Sequence, residues 1–150
     1  MGHLPAAISD LRILAVGAWG SGPFENDDAQ DWLAHLDAAL PQTLSLTFRP
    51  VVAIEPELYL ESVEASEAVA AAEVVAALKG LPCEALVENV SVRNWVMGHR
   101  AWLSPSLIEE AARAVERILA ASELRDLWQE SDEFPEGSAG LDDLLLRLRS

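Results

Sequence analysis

Cysteine occurs once, at Cys83, so no disulfide can form within the chain and the fold must rest on its own core, as suits a reducing cytoplasm. Following Leu81-Pro82, Cys83 reads as a quiet, buried small residue rather than a nucleophile. Basic residues are scarce too: ten Lys plus Arg face twenty-five Asp plus Glu, a formal charge of −15. That balance argues against a nucleic-acid backbone or an anionic membrane as the main partner. Long apolar runs are missing. The best stretch, Ala65 to Leu78, is broken by Glu67 and Glu73 and falls short of the roughly 18–20 apolar residues that cross a bilayer. The opening residues lack the basic segment and clean apolar core of a secretory leader. Complete ligand or catalytic sets are absent as well. There is no His-Glu-x-x-His, no nucleophile elbow and no second cysteine for a zinc set. The expectation is a cytoplasmic protein with no metal and no organic cofactor.

What is present points to helices. With 150 residues, 51% of them hydrophobic and spread along the chain, one domain can bury a core of its own. Asn26 or Asp27 can cap a helix over 27–40, with Asp28 adding negative charge to its first turn and Trp32, Leu33, Leu36 and Leu40 on one apolar face. Residues 42–55 are ambiguous. Leu44-Ser45-Leu46-Thr47-Phe48 alternates like a strand, while Leu44, Phe48 and Val51 also fit helical spacing against the objection of Pro50; the helical surroundings decide for helix. Ser62 or Glu64 through Lys79 is an alanine-rich helix closed by Gly80-Leu81-Pro82, with the composition of a central helix clasped on several sides. Ser91 caps a short helix from Val92 to about His99, and Ser104-Pro105 opens a long one that Ser122 interrupts. Residues 130–138 read as a loop and Leu141–Leu148 as a terminal helix. The fold class is all-α, an irregular bundle of five to seven helices. Residues 1–16 form a non-core N-terminal arm, for which a short edge strand, a helical turn and a disordered arm are all open, and 17–150 form a single helical domain.

Chemistry-bearing residues concentrate before and in the first helix. Gly17-Ala18-Trp19-Gly20-Ser21-Gly22-Pro23-Phe24-Glu25-Asn26-Asp27-Asp28-Ala29-Gln30-Asp31-Trp32 packs three glycines, a proline and three aromatics into one approach. Glycine loses the most backbone freedom on folding, so such density signals a particular turn. The glycines lack the Gly-Lys-Ser/Thr ending of a phosphate loop. Asp27 and Asp31 share a helix face, and His35 lies one further turn along it, which permits an acid–base or ligand pair. The structural reading of the same residues is a cap at Asn26 or Asp27, Asp28 complementing the helix dipole, and a surface link between Asp31 and His35. Five tryptophans in the chain fill gaps between short helices or line an interface; Trp19, Phe24 and Trp32 suggest a local aromatic lock. Arg93, His99 and Arg100 form one basic cluster, which either pairs with the acidic 130–136 segment or marks a contact face.

The Gly17–Trp32 stretch resembles the opening signature of a bacterial domain-of-unknown-function family, DUF4259, carried here by Gly17, Trp19, Gly20, Gly22, Pro23, Phe24, Asn26, Asp27, Asp28 and Trp32. Tyr59-Leu60-Glu61 leading into Ala68–Leu78, and Ser122-Glu123-Leu124-Arg125-Asp126-Leu127-Trp128, resemble the same family. The resemblance implies a small helical protein and supplies no catalytic residue, cofactor or partner. Val16 stands where members begin with methionine, which implies either a GTG start read as an internal codon or a dispensable arm before it. Phe134-Pro135 stands where members carry a more helical stretch. The expected function is that of a small acidic protein-interaction or regulatory module with a protein partner, monomeric or weakly homo-oligomeric. The alternative is a hydrolase or metal-binding protein using Asp27, Asp31 and His35.

Overall fold

Alanine decides the centre of the molecule. A helix of small residues lets its neighbours approach on every side, and such a helix is buried all round rather than on one stripe. The computed structural model describes residues 22–55 and 57–150. The arm over 1–16 and the signature residues Gly17, Trp19 and Gly20 lie outside the described residues. The α-helices are α1 (Asp27–Ala34), α2 (Thr43–Ala53), α3 (Ser62–Leu78), α4 (Glu84–Val87), α5 (Val90–Gly98), α6 (Pro105–Ala120), α7 (Glu123–Glu130) and α8 (Phe134–Arg149), with 3₁₀ turns at Leu36–Ala38 and Arg100–Trp102. α3 is the axis. Its residues from Ala68 to Leu78 are all buried, and it packs against α1, α2, α6, α7 and α8, with α5 at its C-terminal end.

The class is all-α, with no strand among the described residues. The helix number is eight there, not five to seven, because α4 was not expected in the short stretch after Cys83. Three boundaries also move. The first helix stops at Ala34 instead of reaching Leu40, which is left exposed. His35 ends it: its ring Nδ1 donates to the Asp31 carbonyl at 2.7 Å, the acceptor its own amide would need in a continuing helix, and that amide turns to Trp32 O. Asn89, not Ser91, caps α5, its Oδ1 accepting from the Val92 amide at 3.1 Å. The stretch 130–138 is not a loop. Asp132 adopts the left-handed conformation at φ 61°, and the Glu133 amide returns to Trp128 O at 2.7 Å, which turns the chain in one step from α7 into α8. Pro135 then sits in the first turn of α8, where its missing N–H is harmless.

The ambiguous 42–55 segment is helical. Pro50 inside α2 costs about 3 kcal/mol. Leu44, Phe48 and Val51 are each fully buried, and burying one such side chain contributes about 1.5–3 kcal/mol, so the three together outweigh the proline. α3 ends as its sequence foretold. Gly80 takes φ +90°, its amide bonds Ala77 O, and the Leu81 amide bonds Ala76 O, both at 2.9 Å. Ser122 both interrupts and restarts the chain between α6 and α7: its hydroxyl donates to Ile118 O at 3.1 Å and accepts from the Arg125 amide at 3.0 Å.

Two glycines of α8 separate packing from helix propensity. A Cβ on Gly137 would overlap the Trp128 ring, whereas one on Gly140 would meet nothing within 4 Å. Gly140→Ala is expected to stabilise the protein by about 0.8–1 kcal/mol, the ordinary helix-interior difference. Gly137→Ala is expected to destabilise it, because overpacking costs about 1–3 kcal/mol and exceeds the same gain. Urea unfolding of both variants checks the opposite signs.

Candidate functional site

The glycine-proline approach to α1 builds a cap. The Gly22 amide donates to Glu25 Oε1 at 2.8 Å, the Glu25 amide returns to Gly22 O at 3.1 Å, and Phe24 is buried. Of the two candidates, Asn26 makes the cap: its Oδ1 accepts from the Ala29 amide at 2.8 Å, away from solvent. Gln30 Nε2 ties the turn down by donating to Phe24 O at 2.8 Å. Trp32 donates from its indole to Thr47 Oγ1 at 3.1 Å and thereby links α1 to α2.

Asp27 and Asp31 stand exposed on α1, and His35 is exposed just past its end. His35 meets Asp31 through the main-chain oxygen and not through the carboxylate. A cavity of about 300 Å³ between α1 and α5 is lined by Gln30, Asp37, Asn89, Ser91 and Trp95 among others, and by none of these three. Asp28 turns toward α3. Burial first, and then the charges of Asp27 and Asp31, raise its pKa above the usual carboxylate value. Glu67, facing Asp28 and Glu64, is raised for the same reasons, again with burial leading. Repulsion on this face therefore opposes the dipole benefit assigned to Asp28. Among the described residues no group of three or more His, Cys, Asp or Glu is placed to hold a metal ion.

Cys83 is half-buried beside Glu73 and Arg147. Burial, followed by the Glu73 charge, pushes its thiol up to about 11, so at neutral pH it is the unreactive protonated form.

The remaining surface of note runs along α5. Arg93, Val96 and Met97 of α5, with Arg100 of the 3₁₀ turn that follows it, form one wall of a groove of about 300 Å³. Ala77, Gly80, Pro82 and Leu86 form the other. The rest of the chain's described cations are mostly engaged internally. Lys79 donates to the carbonyls of Arg147, Leu148 and Ser150, Arg147 pairs with Glu73 and Asp143, and Arg149 pairs with Glu109 and Glu116. Arg113 bonds Glu109, Arg117 holds the carbonyls of Leu58 and Ala121, and Arg125 lies over the Phe134 ring at 5.0 Å. Arg93 and Arg100 make no hydrogen bond or ion pair among the described residues, with the 130–136 segment or with any other part. His99, the third member of the basic cluster, leaves it. Its Nδ1 donates to Trp95 O at 2.6 Å and its ring stacks on Trp95 at 4.1 Å, with the edge of Trp102 4.7 Å away. The groove's apolar wall was not singled out in the sequence. A signal was there for the α5 side alone, in the helical spacing of Arg93, Val96 and Met97.

These residues define a small all-helical domain with an arginine-edged apolar groove. The chain belongs to the family described as Domain of unknown function (DUF4259), whose model matches residues 17–139. No curated protein and no solved structure matches the chain. No helix among the described residues is long and apolar enough to cross a membrane.

The cap and the acidic face give opposite expectations. Asn26→Ala is expected to cost about 0.5–2 kcal/mol at any pH where the protein folds. Asp28→Asn is expected to stabilise at pH 7. A carboxyl whose folded pKa is raised favours folding when protonated and loses that contribution as pH rises through the folded value. The advantage of Asp28→Asn should therefore vanish below the ordinary carboxylate pKa of 3.8. Chemical denaturation of both variants at pH 7 and near the acid limit measures it.

Proposed function

We propose that this chain is a small acidic protein-interaction or regulatory module of the cytoplasm, monomeric or weakly self-associating, which docks a protein partner on the groove along α5. The observation that carries the proposal is the position of Arg93 and Arg100, uncommitted within the described fold, at the edge of an apolar surface. Arginine beside apolar side chains is the composition enriched at protein interfaces, where the fork supplies directed hydrogen bonds and the stem supplies contact area. Met97, which lines the groove, is exposed and leaves an apolar side chain in solvent there. The chain's net charge of −15 keeps it solvated and disfavours nucleic acid. A hydrolase or metal-binding protein working from Asp27, Asp31 and His35 stands second. Those side chains are exposed on α1 and just past its end, and one imidazole nitrogen is held by the backbone.

Affinity capture from the native host with the wild-type chain and with Met97→Glu tests the proposal. Met97 is 71% exposed, so its replacement is expected to leave the melting temperature within a degree or two while lowering recovery of the partner at least about tenfold, or 1.4 kcal/mol. A partner recovered equally by both would remove α5 from the account. Hydrolytic activity, or stabilisation by a divalent cation, that disappears in Asp31→Ala would put the second class first.

A further inference from the structure

We infer that the groove along α5 takes an amphipathic helical segment of a partner protein, with one apolar stripe and a carboxylate at each end of that stripe. The inference rests on the interaction reading above and names the occupant. Arg93, Val96 and Met97 on α5 and Arg100 at the start of the following 3₁₀ turn all line the groove, so a cation stands on either side of Val96 and Met97 along the chain. A helix laid alongside presents side chains at i, i+3, i+4 and i+7, which is how helix-in-groove recognition is read. Each guanidinium can hold a carboxylate through two parallel N–H donors, and arginine is the residue suited to that geometry. The opposite wall is low and apolar, formed by Ala77, Gly80, Pro82 and Leu86, and Gly80 at φ +90° brings bare backbone to the surface.

Other occupants fit less well. A polyproline segment wants aromatic walls, and no aromatic side chain lines this groove. An added strand wants a sheet edge, and the described residues form no sheet. A single-headed amphiphile would answer one arginine and leave the other bare. The acidity of the chain does not forbid an acidic partner. A carboxylate bound in the groove meets Arg93 or Arg100 directly, while charges beyond the Debye length of about 8 Å at physiological salt are largely screened.

Three synthetic helical peptides, identical except at two positions, test the inference on the intact chain. Each carries a leucine pair flanked by Glu, Gln or Lys at the two ends of the stripe, and the readouts are the Met97 methyl resonance and a titration at physiological salt. The Glu peptide is expected to shift Met97 and to bind at least about tenfold more tightly than the Gln peptide, with the Lys peptide weakest. Arg93→Glu with Arg100→Glu should invert the order of the Glu and Lys peptides. Equal binding of the Glu and Gln peptides overturns the inference, and because that comparison uses the wild-type chain it stands whether or not the charge-reversed variant folds. Decanoate shifting Met97 where no peptide does also overturns it, in favour of an amphiphile. The interaction reading fails separately. If the Glu peptide does not bind while Met97→Glu still loses the captured partner, only the choice of occupant falls. If capture is also unaffected by Met97→Glu, the reading beneath it falls as well.

Discussion

Glu73 stands in the middle of the central helix with its side chain 3% exposed, and the placement of the last helix follows from answering its charge. An uncompensated carboxylate in that position would cost several kcal/mol. Arg147 meets it with two hydrogen bonds, at 2.8 and 3.1 Å, and gives two further donors to Asp143 at 2.8 Å and Leu81 O at 3.1 Å. With Arg147 over Glu73, Leu141, Leu144 and Leu148 of α8 lie in the core. Lys79 then closes over the end of α8 by donating to Arg147, Leu148 and Ser150 carbonyls. Breaking such a pair from one side typically costs about 3–5 kcal/mol, against a total stability of about 5–15 kcal/mol for a domain. Replacing both members of such a pair by apolar groups of equal volume is often neutral.

Much of the fold could be read from the chain because its local signals agree with its packing. The alanines of α3, the Gly80 stop, the Ser104-Pro105 start and the Ser122 break each state one outcome, and each was met. The signals that misled were those whose meaning depends on a distant partner. Gly137 and Gly140, close after Pro135, look like loop composition, yet Gly137 is required by the Trp128 ring against it and Pro135 occupies a first turn. Leu40 continues the apolar face of α1 in sequence, but His35 uses the Asp31 carbonyl and ends the helix before Leu40 is reached. Helical periodicity does not reveal a side chain that competes for the backbone.

The candidate surface was half legible. Arg93 and Arg100 stood out as a basic cluster in an acidic chain, and they edge the groove together. His99 belonged to the cluster by sequence alone, and its aromatic stacking with Trp95 and Trp102 takes it elsewhere. The apolar wall could not be read because Ala77, Gly80 and Leu86 come from the end of α3 and from α4, which was not expected as a helix. Core and candidate surface thus divide along the chain. α3, α6 and α8 pack on one another, with the ion pair joining α3 to α8, whereas α5 packs chiefly on α4 and the end of α3 and keeps a face in solvent.

Native-state hydrogen exchange tests that division most directly. If the Glu73–Arg147 lock organises the core and α5 is carried on its edge, the amides of α3 and the inner turns of α8 should exchange only through global unfolding, at one common free energy. Those of α5 should open at a lower free energy, with exchange about ten- to a hundredfold faster, equivalent to roughly 1.4–2.8 kcal/mol. Equal protection of α5 and α3 would contradict the account, as would local opening of α8 below the global value.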